Sequence, residues 1–239
     1  MFDSFNQDGC TPLHLSAWTR NFELTKLLLD LGADPSIKNS YGEDTNQLAK
    51  LTTELPNIVF LDLELTALPS DANAKIIEMA VVVTNSQLEE LERKHWVITT
   101  PEVELQAMSA WAQKTFSAVD QGGNGLLADI SISTTTGAEA ESDLLTLLKR
   151  HCLEKRSPLA GFSVHCDREV LKHQMPAVYN FMSHQVLDVS TVLSLARRWT
   201  PLKLAGMPTA EAAGHRAMND VERSIEVLNF LKGSIFLSA

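Results

Sequence analysis

Ile58-Val59-Phe60-Leu61-Asp62-Leu63-Glu64-Leu65-Thr66 is the stretch on which the fold turns. It is short, β-rich and largely apolar, as a buried strand should be, yet it carries acids at i and i+2, a spacing that points both carboxylates to one face. Two like charges on one face repel and shift each other's pKa unless a cation lies between them. Oxygen donors grouped in this way suit Mg²⁺ or Mn²⁺. An edge strand with a solvated acidic face is the alternative, and the stretch alone leaves both open.

Outward from it, Lys75 to Thr84 is a second apolar, β-rich run, and the region Leu88 to Thr99 supplies a third antiparallel strand. Glu141 to Leu153 has helical spacing. Pro158 to Val164 reads as another buried strand, Val170 to Phe181 as helix, Val186 to Val189 as strand and Thr191 to Trp199 as helix. A last helix is expected from about Ala217 to Leu231. Gln121 to Gly137, rich in Gly, Ser and Thr, is expected to be a loop. Strands first, then alternating helix and strand, predict a mixed sheet flanked by helices.

The chain has 239 residues, enough for one or two domains with a packed core. With 44% apolar and 21% charged residues it resembles ordinary globular proteins, and no stretch has the ~20 apolar residues of a membrane-spanning helix. The N-terminus lacks the basic start of a signal peptide and the arginines of a transit peptide, so a cytoplasmic location is expected. Cys10, Cys152 and Cys166 have no metal-site or disulfide spacing and are expected to be reduced thiols. Formal charge is −10, with acids in excess on both sides of position 55. Non-specific affinity for nucleic acid comes from phosphate neutralisation by Lys and Arg, so such a surface disfavours long polyanions. It leaves room for a ligand of a few nucleotides bound over screened carboxylates.

Positions 8–35 hold Thr11-Pro12-Leu13-His14 and then Leu24-Thr-Lys-Leu-Leu-Leu-Asp-Leu-Gly32. This resembles an ankyrin repeat, with Thr11 as cap and Pro12 at the first helical position, and Gly32 ending the second helix. A further repeat begins at Tyr41-Gly42 and stops near Lys50, giving roughly one and a half repeats over residues 1–52. Such units bury their apolar faces only against neighbours. Leu24, Leu27 and Leu28 are therefore expected to pack on other helices, either of the following domain or of residues preceding Met1. His14 belongs to the repeat's own motif, where a structural hydrogen bond is its usual task. The segment also implies a possible protein partner.

Three motifs share the larger part of the chain: Leu61-Asp62-Leu63-Glu64-Leu65-Thr66-Ala67-Leu68, Gly161-Phe-Ser-Val-His-Cys-Asp167-Arg168 and His215-Arg216-Ala217-Met218-Asn219-Asp220. Leu187-Asp188-Val189-Ser190 and Ala196-Arg197-Arg198-Trp199 lie between the last two. In this order they resemble the oligoribonucleases, members of the DEDD exonuclease superfamily that use histidine as base, across residues 56–236. The resemblance implies an α/β fold, a mixed-sheet RNase H-like exonuclease domain behind a short α-helical ankyrin segment. It implies 3′→5′ hydrolysis of short single-stranded RNA to 5′-mononucleotides with two Mg²⁺ or Mn²⁺ ions. Asp62, Glu64 and Asp220 would hold the first metal, Asp62 would bridge to the second, and Asp167 would bind directly or through water. His215 would take a proton from the attacking water, a role that an ordinary histidine pKa near ~6.5 suits.

For substrate, the resemblance implies Leu68 as wedge, Trp111 as stacking aromatic, and Ser163 and Ser190 as hydroxyls of a 5′-phosphate cap. Leu68 and Trp111 are equally ordinary core candidates. The family's Tyr-Arg pair before Leu187 is replaced by His184-Gln185, where a protonated His184 could partly substitute. Cys166 replaces a glutamine, and extra residues follow Trp111 through Gly123. Loss of the arginine predicts a flatter dependence on substrate length. The same pair acts across a subunit boundary in the family, so a homodimer is possible but not required here. His165-Cys166 has no companion pair and does not make a zinc site. Short single-stranded DNA as substrate, and an inactive domain behind an ankyrin binding module, are the competing functions.

Overall fold

The computed structural model describes residues 6–19, 21–45, 47, 55–69, 71, 73–208 and 214–236. The chain divides into two compact units, Met1–Pro56 and Asn57–Ala239.

In the first unit, helix α1 (Pro12–Trp18) begins in a capping box. The His14 amide donates to Thr11 Oγ1 at 3.3 Å and the Thr11 amide to His14 Nδ1 at 3.0 Å. The other His14 nitrogen lies 3.1 Å from the Glu43 carbonyl, so this buried histidine is spent on structure. Asn21 caps α2 (Phe22–Asp30), and Gly32, at φ 88°, lets the Ala33 amide return to the Leu28 carbonyl. The buried cluster comprises Leu13, Leu28 and Ala33. Leu28 is buried as expected, but Leu24 and Leu27 are 40% and 53% exposed. Two short helices offer too little surface to cover both sides of α2. The further repeat opens with a turn at Tyr41-Gly42, and most of it after position 45 lies outside the described residues.

The second unit is built on a five-stranded sheet of order β3-β2-β1-β4-β5. Strand β1 (Ile58–Leu65) is its centre; β2 (Ile76–Thr84) and β3 (Glu90–Val97) run antiparallel on one side. The short β4 (Leu159–Gly161) and β5 (Val186–Asp188) run parallel to it on the other. The helices are α3 (Glu102–Gln106), α4 (Ala110–Phe116), α5 (Leu126–Ile132), α6 (Gly137–His151), α7 (His165–Gln174), α8 (Pro176–Phe181), α9 (Val189–Trp199) and α10 (Ala217–Leu231).

Strand alternation sorts β1 between two cores. Val59, Leu61, Leu63 and Leu65 pack with Leu144, Leu148 and Leu171 of α6 and α7. Phe60 faces the other way, onto Val189 and Leu193 of α9 and Val221 and Leu231 of α10. Each such fully buried side chain contributes roughly 1.5–3 kcal/mol. Asp62 and Glu64 continue the Phe60 face, beyond the end of its apolar filling. A third cluster, Phe116, Leu126 and Ile130 with Ile77, joins α4 and α5 to the sheet.

Several expected elements are corrected. The strand from Pro158 stops at Gly161, because Ser163 adopts a left-handed φ of 51° and α7 begins at His165. The helix expected from Val170 to Phe181 therefore starts five residues earlier, and it breaks at Met175, before Pro176. Gln121 to Gly137 is not all loop: α5 occupies Leu126–Ile132, started from a left-handed Gly125. The acidic strand is not an edge strand. No helix among the described residues is long and apolar enough to cross a membrane.

Candidate active site

Glu64 lies opposite Glu78 in the β1–β2 ladder, and the register shifts between Glu64 and Leu65. The bulge falls where the two acids leave the apolar core. Asp167 arrives from the first turn of α7, its Oδ1 accepting the Leu63 amide at 3.2 Å. A glycine makes this approach possible, since a Cβ at Gly161 would lie 2.8 Å from the Leu61 carbonyl oxygen. Asp220 comes from the first turn of α10, where the helix dipole favours an acid. Glu64 is buried, whereas Asp62, Asp167 and Asp220 keep part of their surface.

These carboxyls act on one another. Burial, and then the charges of Asp167, Asp220 and Glu64, push the Asp62 carboxyl well above its usual range. Burial, then Asp220 and Glu78, push Glu64 up to about 9. Burial raises Asp167 to about 7 although two backbone amides pull it down, and burial raises Asp220 against the pull of His215 and Arg223. Donor atoms of Glu64, His215 and Asp220 all lie within 4.8 Å of one another. Asp62 and Asp167 stand outside that triple but within its field. An oxygen-rich donor set with one imidazole fits a hard divalent cation, whose charge would relieve this repulsion.

One acid escaped the sequence. Glu78 is fully buried, with its Oε1 2.7 Å from both Arg216 Nε and His95 Nε2, and its Oε2 accepts the Ala217 amide at 2.9 Å. Burial works to raise this carboxyl, but the bonds from His95, the Ala217 amide and Arg216 outweigh it and hold the group below its usual range. Glu78 thus fastens the start of α10, and with it Asp220, to the sheet. Its signal was an acid in an otherwise apolar strand, without the i, i+2 partner that singled out Asp62 and Glu64. His95, on β3, belongs to this network.

Leu68 and Trp111 are 68% and 53% exposed, so neither is a core residue. Trp111 meets the His215 ring edge-on, with centroids 5.2 Å apart at 82°. Ser163 and Ser190 come together with hydroxyls 3.1 Å apart, and the Ser163 amide donates to Ser190 Oγ at 2.8 Å. Asp188 underlies them, accepting the Ser190 amide at 2.9 Å, and His165 Nδ1 lies 3.0 Å from its other oxygen. His184 and Gln185 are exposed in the turn before β5.

The fold is exonuclease-like, and the family model described as Exonuclease matches residues 59–228, while an ankyrin-repeat model matches residues 8–40. Exonuclease I of E. coli, in a zinc-bound complex with single-stranded DNA, aligns with a TM-score of 0.57 at 15% identity over 77% of this chain and 42% of that one. Exonuclease I of Methylocaldum szegediense gives 0.55 at 16% over 76% and 41%. At that identity the likeness is one of fold, and this chain spans only about two fifths of their length. Sequence is more specific. The oligoribonuclease of Ralstonia nicotianae is 38% identical over 177 residues, covering 74% of this chain and 77% of the relative. The mitochondrial oligoribonuclease of Homo sapiens is 36% identical over 180 residues, covering 75% and 73%. The chain belongs to the oligoribonuclease family, and it is an enzyme of the 3′→5′ exoribonuclease class.

Proposed function

We propose that residues 56–236 form an exonuclease domain that removes 5′-mononucleotides from the 3′ end of short single-stranded RNA, and that residues 1–52 form an ankyrin-type segment docking a protein partner. The observation that carries the catalytic reading is the gathering of Asp62, Glu64, Asp167 and Asp220 on and around the central strand of an exonuclease fold. Asp62, Glu64 and Asp220 would hold one divalent cation, with Asp62 shared with a second ion and Asp167 binding directly or through water. Bound there, Mg²⁺ or Mn²⁺ would supply charge relief on the phosphoryl oxygens and a more acidic water.

The protein groups do the rest. His215 takes the proton of the attacking water at its imidazole as the water oxygen bonds to phosphorus, and the 3′-oxygen of the preceding nucleotide leaves with a proton from solvent. Trp111, against the His215 ring, and Leu68, both exposed, offer faces for the terminal bases. Ser163 and Ser190 offer paired hydroxyls to the 5′ phosphate, with Asp188 fixing the Ser190 backbone.

The test is to incubate the purified chain with labelled RNAs of two to twenty nucleotides and matching DNAs, with Mg²⁺, Mn²⁺ or EDTA. Release of 5′-mononucleotides from the shortest RNAs, abolished by EDTA, is the expected result. Turnover that persists in EDTA, or faster cleavage of DNA, would overturn it.

A further inference from the structure

His215 is held in an unusual backbone conformation by a loop remote in sequence. Gly214 and His215 both adopt left-handed φ values, 46° and 47°. That region favours glycine and disfavours a histidine unless its surroundings hold it there. The holding group is Asn124, whose Nδ2 donates to the Gly214 carbonyl at 2.7 Å and to the His215 carbonyl at 2.5 Å. Its Oδ1 accepts the Leu126 amide at 3.0 Å, at the start of α5. That bond fixes the amide orientation, because a flipped side chain would set its oxygen against two carbonyl oxygens.

Asn124 is itself firmly placed. Its amide donates to the Thr115 carbonyl and the Gly125 amide to the Ser117 carbonyl, both at 2.8 Å. Gly123 closes the loop so tightly that a Cβ there would meet the Ser117 carbonyl oxygen at 2.3 Å. On the far side of His215, Arg216 is anchored by Asp129 of α5 at 2.8 Å and by Glu78. Trp111 of α4 touches the imidazole. One short region, residues 111–129, therefore surrounds the His215 segment with backbone, charge and ring contacts.

We propose that Asn124 is a positioning residue for His215, setting the imidazole at the scissile phosphate by clamping the two carbonyls of its left-handed turn. This rests on the reading of His215 as proton acceptor. A group that must meet a proton in flight loses rate steeply when its seat loosens, while substrate held by other groups still binds.

Asn124→Asp keeps the acceptor for Leu126 but loses both donors, Asn124→Ala loses everything, and Asn124→Ser restores one donor. In the full chain with Mg²⁺ and a dinucleotide RNA, kcat should fall roughly 10- to 100-fold in the Asp and Ala variants, with KM within about twofold and part of the rate regained by Ser. In a His215→Ala background the same Asp and Ala changes should cost less than about twofold, since nothing remains to position. Independently of activity, the His215 ring protons should lose the ring-current shift imposed by Trp111 in the NMR spectrum of metal-free Asn124→Ala. Equal losses in both backgrounds, a full rate in Asn124→Ala, or unmoved His215 ring signals would overturn the proposal. A wild-type chain inert on every RNA would instead sink the catalytic reading, and the ring signals would still decide the clamp.

Discussion

Asp62 is the residue whose replacement separates chemistry from stability. Asp62→Asn removes one ionisable carboxyl from a crowd of mutually repelling acids, so turnover should drop on the order of 10³-fold or more while the metal-free protein melts at a higher temperature near neutral pH. The pH dependence has a definite direction. The unfolded chain releases these protons near its ordinary carboxyl pKa of about 4. The folded chain holds them until about 7 at Asp167 and about 9 at Glu64. The acids therefore favour the metal-free fold at low pH, and that contribution is lost as pH rises through 7 and 9. Thermal melts in EDTA at pH 5, 7 and 9 should show a falling Tm that Asp62→Asn flattens. A wild-type Tm that rises over this range would contradict the electrostatics. Gln185 marks a second residue-level difference. Exposed before β5, it stands where the resemblance implies an arginine, and on that proposal Gln185→Arg should favour dinucleotides over five-nucleotide RNA by about tenfold for each ~1.4 kcal/mol recovered. Parallel kcat/KM values for the two lengths measure it.

At the scale of elements, the placement of α7 depends on how closely β4 approaches β1. Gly161→Ala would push a methyl against the Leu61 carbonyl oxygen and should cost ~1–3 kcal/mol in urea unfolding. It should also lower kcat, because Asp167 rides on the same connection. An unchanged midpoint would mean that the two strands part without penalty. Elements with a strong periodic signal were readable in the sequence. The last helix, expected from Ala217 to Leu231, has those bounds, and the first three strands agree to within two residues. α5 was missed because its seven residues follow a run of glycines that reads as loop. The end of β4 was missed because a left-handed Ser163 leaves no trace in hydrophobic pattern. Acids in an apolar strand made Asp62 and Glu64 visible, but Glu78 passed unnoticed as one charge in a run otherwise read as core. The bond from Asn124 to His215 spans 91 positions and follows no period.

For the whole molecule, the net charge of −10 bears on association. A basic nuclease loses affinity as salt rises, because the counterions displaced from the bound phosphates gain less entropy on release into a saltier solution. An acidic chain meets an anionic substrate against its own field, and screening should ease the encounter. Between 50 and 200 mM NaCl, kcat/KM for a two-nucleotide RNA should therefore stay flat or rise. A steep fall would reveal a basic track that outweighs the overall charge. The central position of β1 has a further consequence, for the order in which the molecule comes apart. Amides of a strand flanked on both sides exchange with solvent only when the whole sheet opens, whereas a turn fixed by a few side-chain bonds opens locally at small cost. The backbone amides of Val59 and Phe60, the positions of β1 paired on both sides, should thus be among the last to take up deuterium and that of His215 among the first. In mild denaturant the enzyme should fall silent while its sheet is still whole, and recover at once on dilution, without refolding.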